Sequence, residues 1–312
     1  MIDKERYKEI LLSFMLAGFL LFFPPQANAA DNLLSFEEPE SMTAYKAVLY
    51  FRYLDSPYLA QETRTIQVKH TESREKALVK ALTDGPAAAG SVGRPLFPQG
   101  TKVISVLAEG DTLYVTLSKE FENALENENN QTRKEEAILR RRLTISSLVN
   151  TLTESGQYQK VQVLIFNQSA VDASMRLSRR FYLEDSGQIP PPVRRQEEDI
   201  ITPGKAAGMI LRLWQQQNWN ALWGFLALEP GAASSAKRPD VDRLPILLSY
   251  SSTPGALSPD GTYAIVQVTL EMKTLEGKTE IINDQAVRML RQNNAWLMSL
   301  PSFTQLTLAG QP

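Results

Sequence analysis

The 312-residue chain contains no cysteine. Disulfides, thiolate nucleophiles, Cys-ligated zinc and a lipid anchor on cysteine are all excluded. It has a single histidine, His70. A multi-histidine metal site is therefore impossible, and a Ser-His-Asp triad would have to use that one residue. His70 follows Val68-Lys69, precedes a helix start and has no partner motif, so it reads as an exposed loop residue. An excess of charge of either sign is also missing. The chain has 33 basic and 35 acidic residues, a net charge of -2, which gives no bulk attraction to nucleic acid. No GxSxG, Walker loop, HExxH or clustered carboxylate motif is present. No catalytic residue, cofactor or metal ligand is assigned, and the chain is expected not to be an enzyme.

The longest apolar run, Ile10 to Phe23, falls short of the roughly 20 residues that span a bilayer. Lys4, Arg6 and Lys8 precede it, Pro24-Pro25 ends it, and Ala27-Asn28-Ala29 has the small-x-small form of a signal-peptidase site. Residues 1–29 read as a secretory signal peptide. The mature product is expected to be extracytoplasmic, secreted or envelope-associated, with no stable membrane span and no lipoprotein anchor.

After a flexible lead, 30–43, a first domain is expected over 44–183. Lys46 to Tyr53 is a β-prone run. Ser73 caps a helix with Ala77, Leu78, Ala81 and Leu82 as its apolar stripe, stopped by Gly85-Pro86. Val103 to Ala108 and Leu113 to Leu117 flank Glu109-Gly110-Asp111 as a hairpin. Arg133 to Glu154 reads as a long helix, with Ile145, Leu148, Val149 and Leu152 at helical spacing. Lys160 to Phe166 is a final strand. The order is β-α-β-β-α-β, an α+β pattern with helices packed on a small sheet. Pro190-Pro191-Pro192 and Glu197-Glu198-Asp199 mark 184–201 as an extended linker, outside either core.

Several segments carry a family resemblance in order. They are KAVLYF with an arm ending in Glu62-Thr63-Arg64, EKALVKALTDGP from Glu75, and Leu96-Phe97-Pro98-Gln99-Gly100-Thr101. Asp111 to Phe121 and Ser147 to Glu154 complete the set. Together they resemble the GerMN family. Thr116 stands where that family often has aspartate. The resemblance implies a bacterial setting of sporulation, germination or envelope assembly.

A second α+β domain is expected over 202–312. Thr202-Pro203 opens a helix with Ala206, Ile210, Leu213 and Trp214 on one face, and Asn218-Trp219 opens another. Strands follow at Ile246 to Ser251, Tyr263 to Met272, Thr279 to Arg291 and Trp296 to Leu300. Ala264, Val266, Val268 and Leu270 alternate with polar neighbours, so one face is apolar. With TYAIVQVTL and Asn294-Ala295-Trp296-Leu297, this half resembles the nuclear transport factor 2-like (SnoaL-like) superfamily. That resemblance implies a cone built on a curved antiparallel sheet, sometimes with a ligand pocket. Trp214, Trp219, Trp223 and Trp296 read as core.

Two basic clusters are the candidate binding residues. Arg140, Arg141 and Arg142 could hold an acidic partner or an anionic envelope polymer, or form a solvated face compensated by Glu135 and Glu136. Arg176, Arg179 and Arg180 lie beside Phe181-Tyr182, a composition found at interfaces. The expected function is non-catalytic binding or scaffolding of an envelope protein or polymer, with homo-oligomerisation open and no nucleic acid. The alternative is a small-ligand or enzymatic role in the second domain. N-terminal sequencing of the exported product is expected to begin at Ala30. Recovery of Met1 on membrane-bound protein would contradict this.

Overall fold

A computed structural model describes residues 41–87, 92–123, 131–166, 174–228 and 239–308. The expected signal peptide, residues 1–29, and most of the expected lead lie outside the described residues. Residues 42–312 cluster as one compact unit, mixed in helix and strand.

The first lobe starts with β1 (Met42–Tyr53), paired antiparallel along its length with β2 (Leu59–Lys69). Helix α1 (Arg74–Thr83) begins where the Ser73 hydroxyl accepts from the Lys76 N–H, satisfying one of the amides a helix start leaves unpaired. Strand β3 (Gly93–Arg94) meets the far side of β1 only at Arg52 and Tyr53. Strands β4 (Val103–Glu109) and β5 (Thr112–Leu117) form the expected hairpin, with Gly110 at φ +58 in its turn, a conformation glycine adopts without steric cost. Helix α2 (Gln131–Thr153) then crosses to β6 (Lys160–Phe166), which lies parallel to β5. Strands β7 (Ser174–Arg176) and β8 (Val193–Arg194) pair antiparallel with opposite ends of β6. The result is two sheets, β2-β1-β3 and β4-β5-β6-β7, sharing one apolar core with α1 and α2.

The second lobe opens on α3 (Pro203–Gln215), capped by Thr202 with proline at its start. It continues through α4 (Trp219–Trp223), β9 (Leu226–Ala227), β10 (Ile246–Ser252), β11 (Ala256–Leu257), β12 (Tyr263–Lys273), β13 (Thr279–Gln292) and β14 (Ala295–Ser299). Helix α5 (Leu300–Leu308) closes it. The sheet order is β10-β12-β13-β14-β9, with β11 also on β12. Ala264, Val266, Val268 and Leu270 are all fully buried, as their alternation predicts. Trp214 and Trp223 both meet Phe303 of α5 edge-on. The face that helices cover is therefore filled with side chains.

Three features differ from the sequence reading. The arm ending at Glu62-Thr63-Arg64 is the full strand β2, and with the short strands β3, β7 and β8 the first lobe runs β-β-α-β-β-β-α-β-β-β. Gln61 to Thr65 are polar or charged because β2 lies at the edge of its sheet, where strand sequences need not alternate cleanly. Helix α5 follows directly on β14, burying Leu300, Phe303 and Leu306. The segment 184–201 is not a free spacer. Its second half joins the fold: β8 pairs with β6, Leu59 bridges Ile200, and the Ile201 N–H donates to the Leu59 carbonyl at 2.8 Å. Prolines at 190–192 stiffen only its first half. Tyr53 and Ala60 of the first lobe are buried in the second lobe's core, and the Tyr53 hydroxyl donates to the Trp296 carbonyl at 3.3 Å.

Candidate functional site

Helix α2 organises the candidate site. From Leu143 to Thr153 every residue is buried, although Thr144, Ser146, Ser147, Asn150, Thr151 and Thr153 are polar. Buried polar groups need partners, and each of these has one. The Thr151 hydroxyl accepts from the Tyr50 N–H at 3.2 Å, and the Ser147 hydroxyl donates to the Tyr50 carbonyl. Ser147 and Thr151 are four residues apart and so share a helix face. They satisfy β1 where no strand pairs with it. Asn150 takes both backbone groups of Gln196, donating to its carbonyl at 2.9 Å and accepting from its N–H at 2.8 Å. Ser146 donates to the buried Asp199 carboxylate at 2.6 Å.

The first arginine cluster belongs to the same framework. Arg141 is 7% exposed, donates to the Phe181 carbonyl at 2.9 Å and lies over the Phe181 ring. Arg142 pairs with Asp199. Arg140 reaches the Pro95 carbonyl at 3.4 Å. Glu136 pairs with Arg52 of β1 rather than with its helix neighbours. This is not the solvated helix face that Glu135 and Glu136 would compensate. The sequence shows the charges, but their partners lie tens of residues away. In the second cluster, Arg179 pairs with Glu184 at 2.9 Å, while Arg176 and Arg180 are exposed. Phe181 stacks on Phe121 with centroids 5.0 Å apart. Arg141 and the Arg179–Tyr182 turn are thus brought together as packing, around the Phe181 ring.

A second polar knot joins β1, α2 and the segment before α3. The Tyr50 phenol donates to Glu154 at 2.7 Å and accepts from Gln61 at 2.9 Å and Arg195 at 2.7 Å. Arg195 also pairs with Glu154 at 2.8 Å. Burial pushes the Tyr50 pKa up, and the hydrogen bond to Glu154 adds to the rise. Tyr50 therefore stays a neutral donor at physiological pH. Burial likewise raises Tyr53 and Tyr182 to about 12. These groups hold the fold; none faces an open cavity in a nucleophile-base arrangement. His70 is exposed.

Beside α2 an open cleft of about 900 Å³ is lined by residues including Pro95, Phe97, Arg133, Glu136 and Arg140, and two further surface features stand open. Strand β4 ends its sheet, and among the described residues no strand pairs with its outer side. Ile104 and Leu107 are 38% and 66% exposed there. Beside α3, a cleft of about 380 Å³ is lined by residues including Tyr58, Lys205, Gly208, Arg212 and Tyr250. The sequence led to an exposed edge strand on the first lobe but not to which strand, and it did not show the cleft beside α3. Leu107 reads as an ordinary strand residue until the sheet order is known, and the cleft combines positions 58, 205–212 and 250–254.

Residues 48–170 match the family model described as Germane: Sporulation and spore germination. The GerMN resemblance read from the motifs therefore holds for the first lobe. No curated protein matches the chain. Among solved structures, the tandem GerMN domains of the sporulation protein GerM from Bacillus subtilis share 15% identity at a TM-score of 0.33. That match covers 55% of this chain and 51% of that one, so the chain spans about half its length. The first GerMN domain of the same protein shares 19% identity at a TM-score of 0.31, covering 50% of this chain and 99% of that one. A putative lipoprotein from Clostridium perfringens shares 22% identity at a TM-score of 0.26, covering 45% and 89%.

Reversing the charge at Arg142 is expected to be a stability experiment. Arg142→Glu sets a second carboxylate against buried Asp199, and because the Arg142 side chain is itself 46% exposed the loss is expected to be about 1–2 kcal/mol. Arg180→Glu, on the exposed turn, is expected to stay within about 0.5 kcal/mol. Urea unfolding of both variants checks this. Equal stability would show that the Arg142–Asp199 pair contributes nothing to the fold.

Proposed function

We propose, from the Germane match of the first lobe, that the protein is an exported, non-catalytic envelope module. In this reading it binds a protein partner in a sporulation- or germination-related assembly. The observation that carries the reading is the open outer edge of β4. A sheet edge presents unpaired N–H and C=O groups and can accept an extended partner segment as an added strand. The exposed Leu107 and Ile104 side chains offer apolar contacts beside that edge. Hydrogen bonding to the backbone would supply affinity, and these side chains would select the partner residues. The leader at residues 1–29 supports export. A nuclear transport factor 2-like second lobe would serve as a rigid mount, since its core is occupied by Trp214, Trp296, Met298 and Phe303.

The reading is tested by capture from envelope extracts with wild type and Leu107→Lys in parallel. A lysine on an edge strand blocks strand addition. Position 107 is exposed, so stability is expected to change by no more than about 0.5 kcal/mol. A partner retained by wild type and weakened at least tenfold by Leu107→Lys supports the edge. Undiminished capture by the variant would contradict it.

A further inference from the structure

The cleft beside α3 is built from three separate stretches of chain. Tyr58 comes from the turn between β1 and β2, Lys205, Gly208 and Arg212 come from α3, and Tyr250 to Thr253 come from β10 and the residue after it. Lys205 and Arg212 are two turns apart on the same side of α3. Between them sits Gly208, whose missing side chain leaves the floor open. A Cβ there would lie 3.5 Å from Ser252 Oγ and 3.9 Å from the Tyr250 ring, in ordinary contact. The gap is therefore space that a side chain could occupy.

The lining chemistry is specific. Lys205 Nζ donates to the Glu198 and Ile200 carbonyls at 2.6 and 2.8 Å and lies over the Tyr58 ring. Those bonds use two of its three hydrogens. The charges of Asp199 and Glu198 also act on it, and Asp199 is already paired with Arg142. Arg212 touches the cleft through a long 3.5 Å contact from Nε to the Tyr250 hydroxyl, which leaves its guanidinium fork available for a bidentate anion. Ser252 donates to the Gly204 carbonyl at 3.0 Å, so its oxygen is free to accept. Thr253 accepts from the Gln267 N–H at 3.1 Å, so its hydroxyl is free to donate. No carboxylate lines the cleft. A volume near 380 Å³ falls in the range of small-molecule sites, about 300–1,000 Å³.

We propose that this cleft binds a sugar unit bearing an anionic group, phosphate or carboxylate, with Lys205 and Arg212 holding the anion and Ser252, Thr253 and Tyr250 contacting the ring. The source of such a sugar rests on the envelope reading, as a free metabolite or as a unit of an anionic polymer. The contact at β4 does not depend on it.

The test is calorimetric titration of the full mature chain with glucose 1-phosphate and with glucuronate. Glucose and inorganic phosphate serve as controls. The expected result is saturable binding of at least one acidic sugar, weaker in high salt, with no binding of glucose. The acidic sugar that binds more tightly identifies the anion. Gly208→Gln fills the floor, raises helix propensity and leaves both cations in place. It is expected to fold normally and weaken binding at least tenfold, as is the Lys205→Met/Arg212→Met pair. If Lys205→Met unfolds by freeing the carbonyls it caps, Gly208→Gln still decides. Failure of both acidic sugars to bind, or unchanged affinity in Gly208→Gln, would overturn the site. Inorganic phosphate binding as tightly as glucose 1-phosphate would overturn the sugar assignment.

Discussion

The backbone of Tyr50 is the point on which the structure depends. Strand β1 has a full partner on one side and only β3, at Arg52 and Tyr53, on the other. A buried strand left without hydrogen-bond partners costs about 1–3 kcal/mol for each unsatisfied group. Here a helix takes the place of the missing strand. Ser147 and Thr151 of α2 bind the Tyr50 carbonyl and N–H. This requires α2 to lie close against β1, and close approach requires small hydroxyl side chains on that face.

The rest follows from where α2 then sits. Its apolar stripe, Ile145, Leu148, Val149 and Leu152, packs into the shared core of the two sheets. Asn150, Ser146 and Arg142 hold residues 196–199. That segment delivers Ile201 and α3 to the second lobe, where Tyr53 and Ala60 already contribute to the core. Tyr50 takes part again through its phenol, which gathers Glu154, Gln61 and Arg195. With the interior occupied in this way, recognition falls to the outside, where the β4 edge and the clefts beside α2 and α3 are open.

Local signals in the sequence were enough for most elements. The Ser73 cap, the Gly110 turn, the Thr202-Pro203 start and the alternation over Tyr263 to Leu270 each act through neighbours a few residues away. The misread features depend on distant contacts. The roles of Ser147 and Thr151 have no local signal, because their partner lies about 100 positions upstream. Arg141 and Arg142 look like a charged surface, because Phe181 and Asp199 are far along the chain. Proline and acidic residues suggest a loose tether over 184–201, but Asp199 and Ile201 are buried. The signal for α5 was present in the spacing of Leu300, Phe303 and Leu306, adjacent to a strand that masks it. The candidate cleft was not legible at all, since it exists only once the β1–β2 turn, α3 and β10 have been brought together.

Because Tyr53 and Ala60 belong to the second lobe's core and α2 holds residues 196–199, which lead into it, the account requires the two lobes to unfold together. Differential scanning calorimetry of residues 30–312 tests this most directly. The account predicts one transition whose calorimetric and van't Hoff enthalpies agree. Two resolved transitions, one for each lobe, would contradict it.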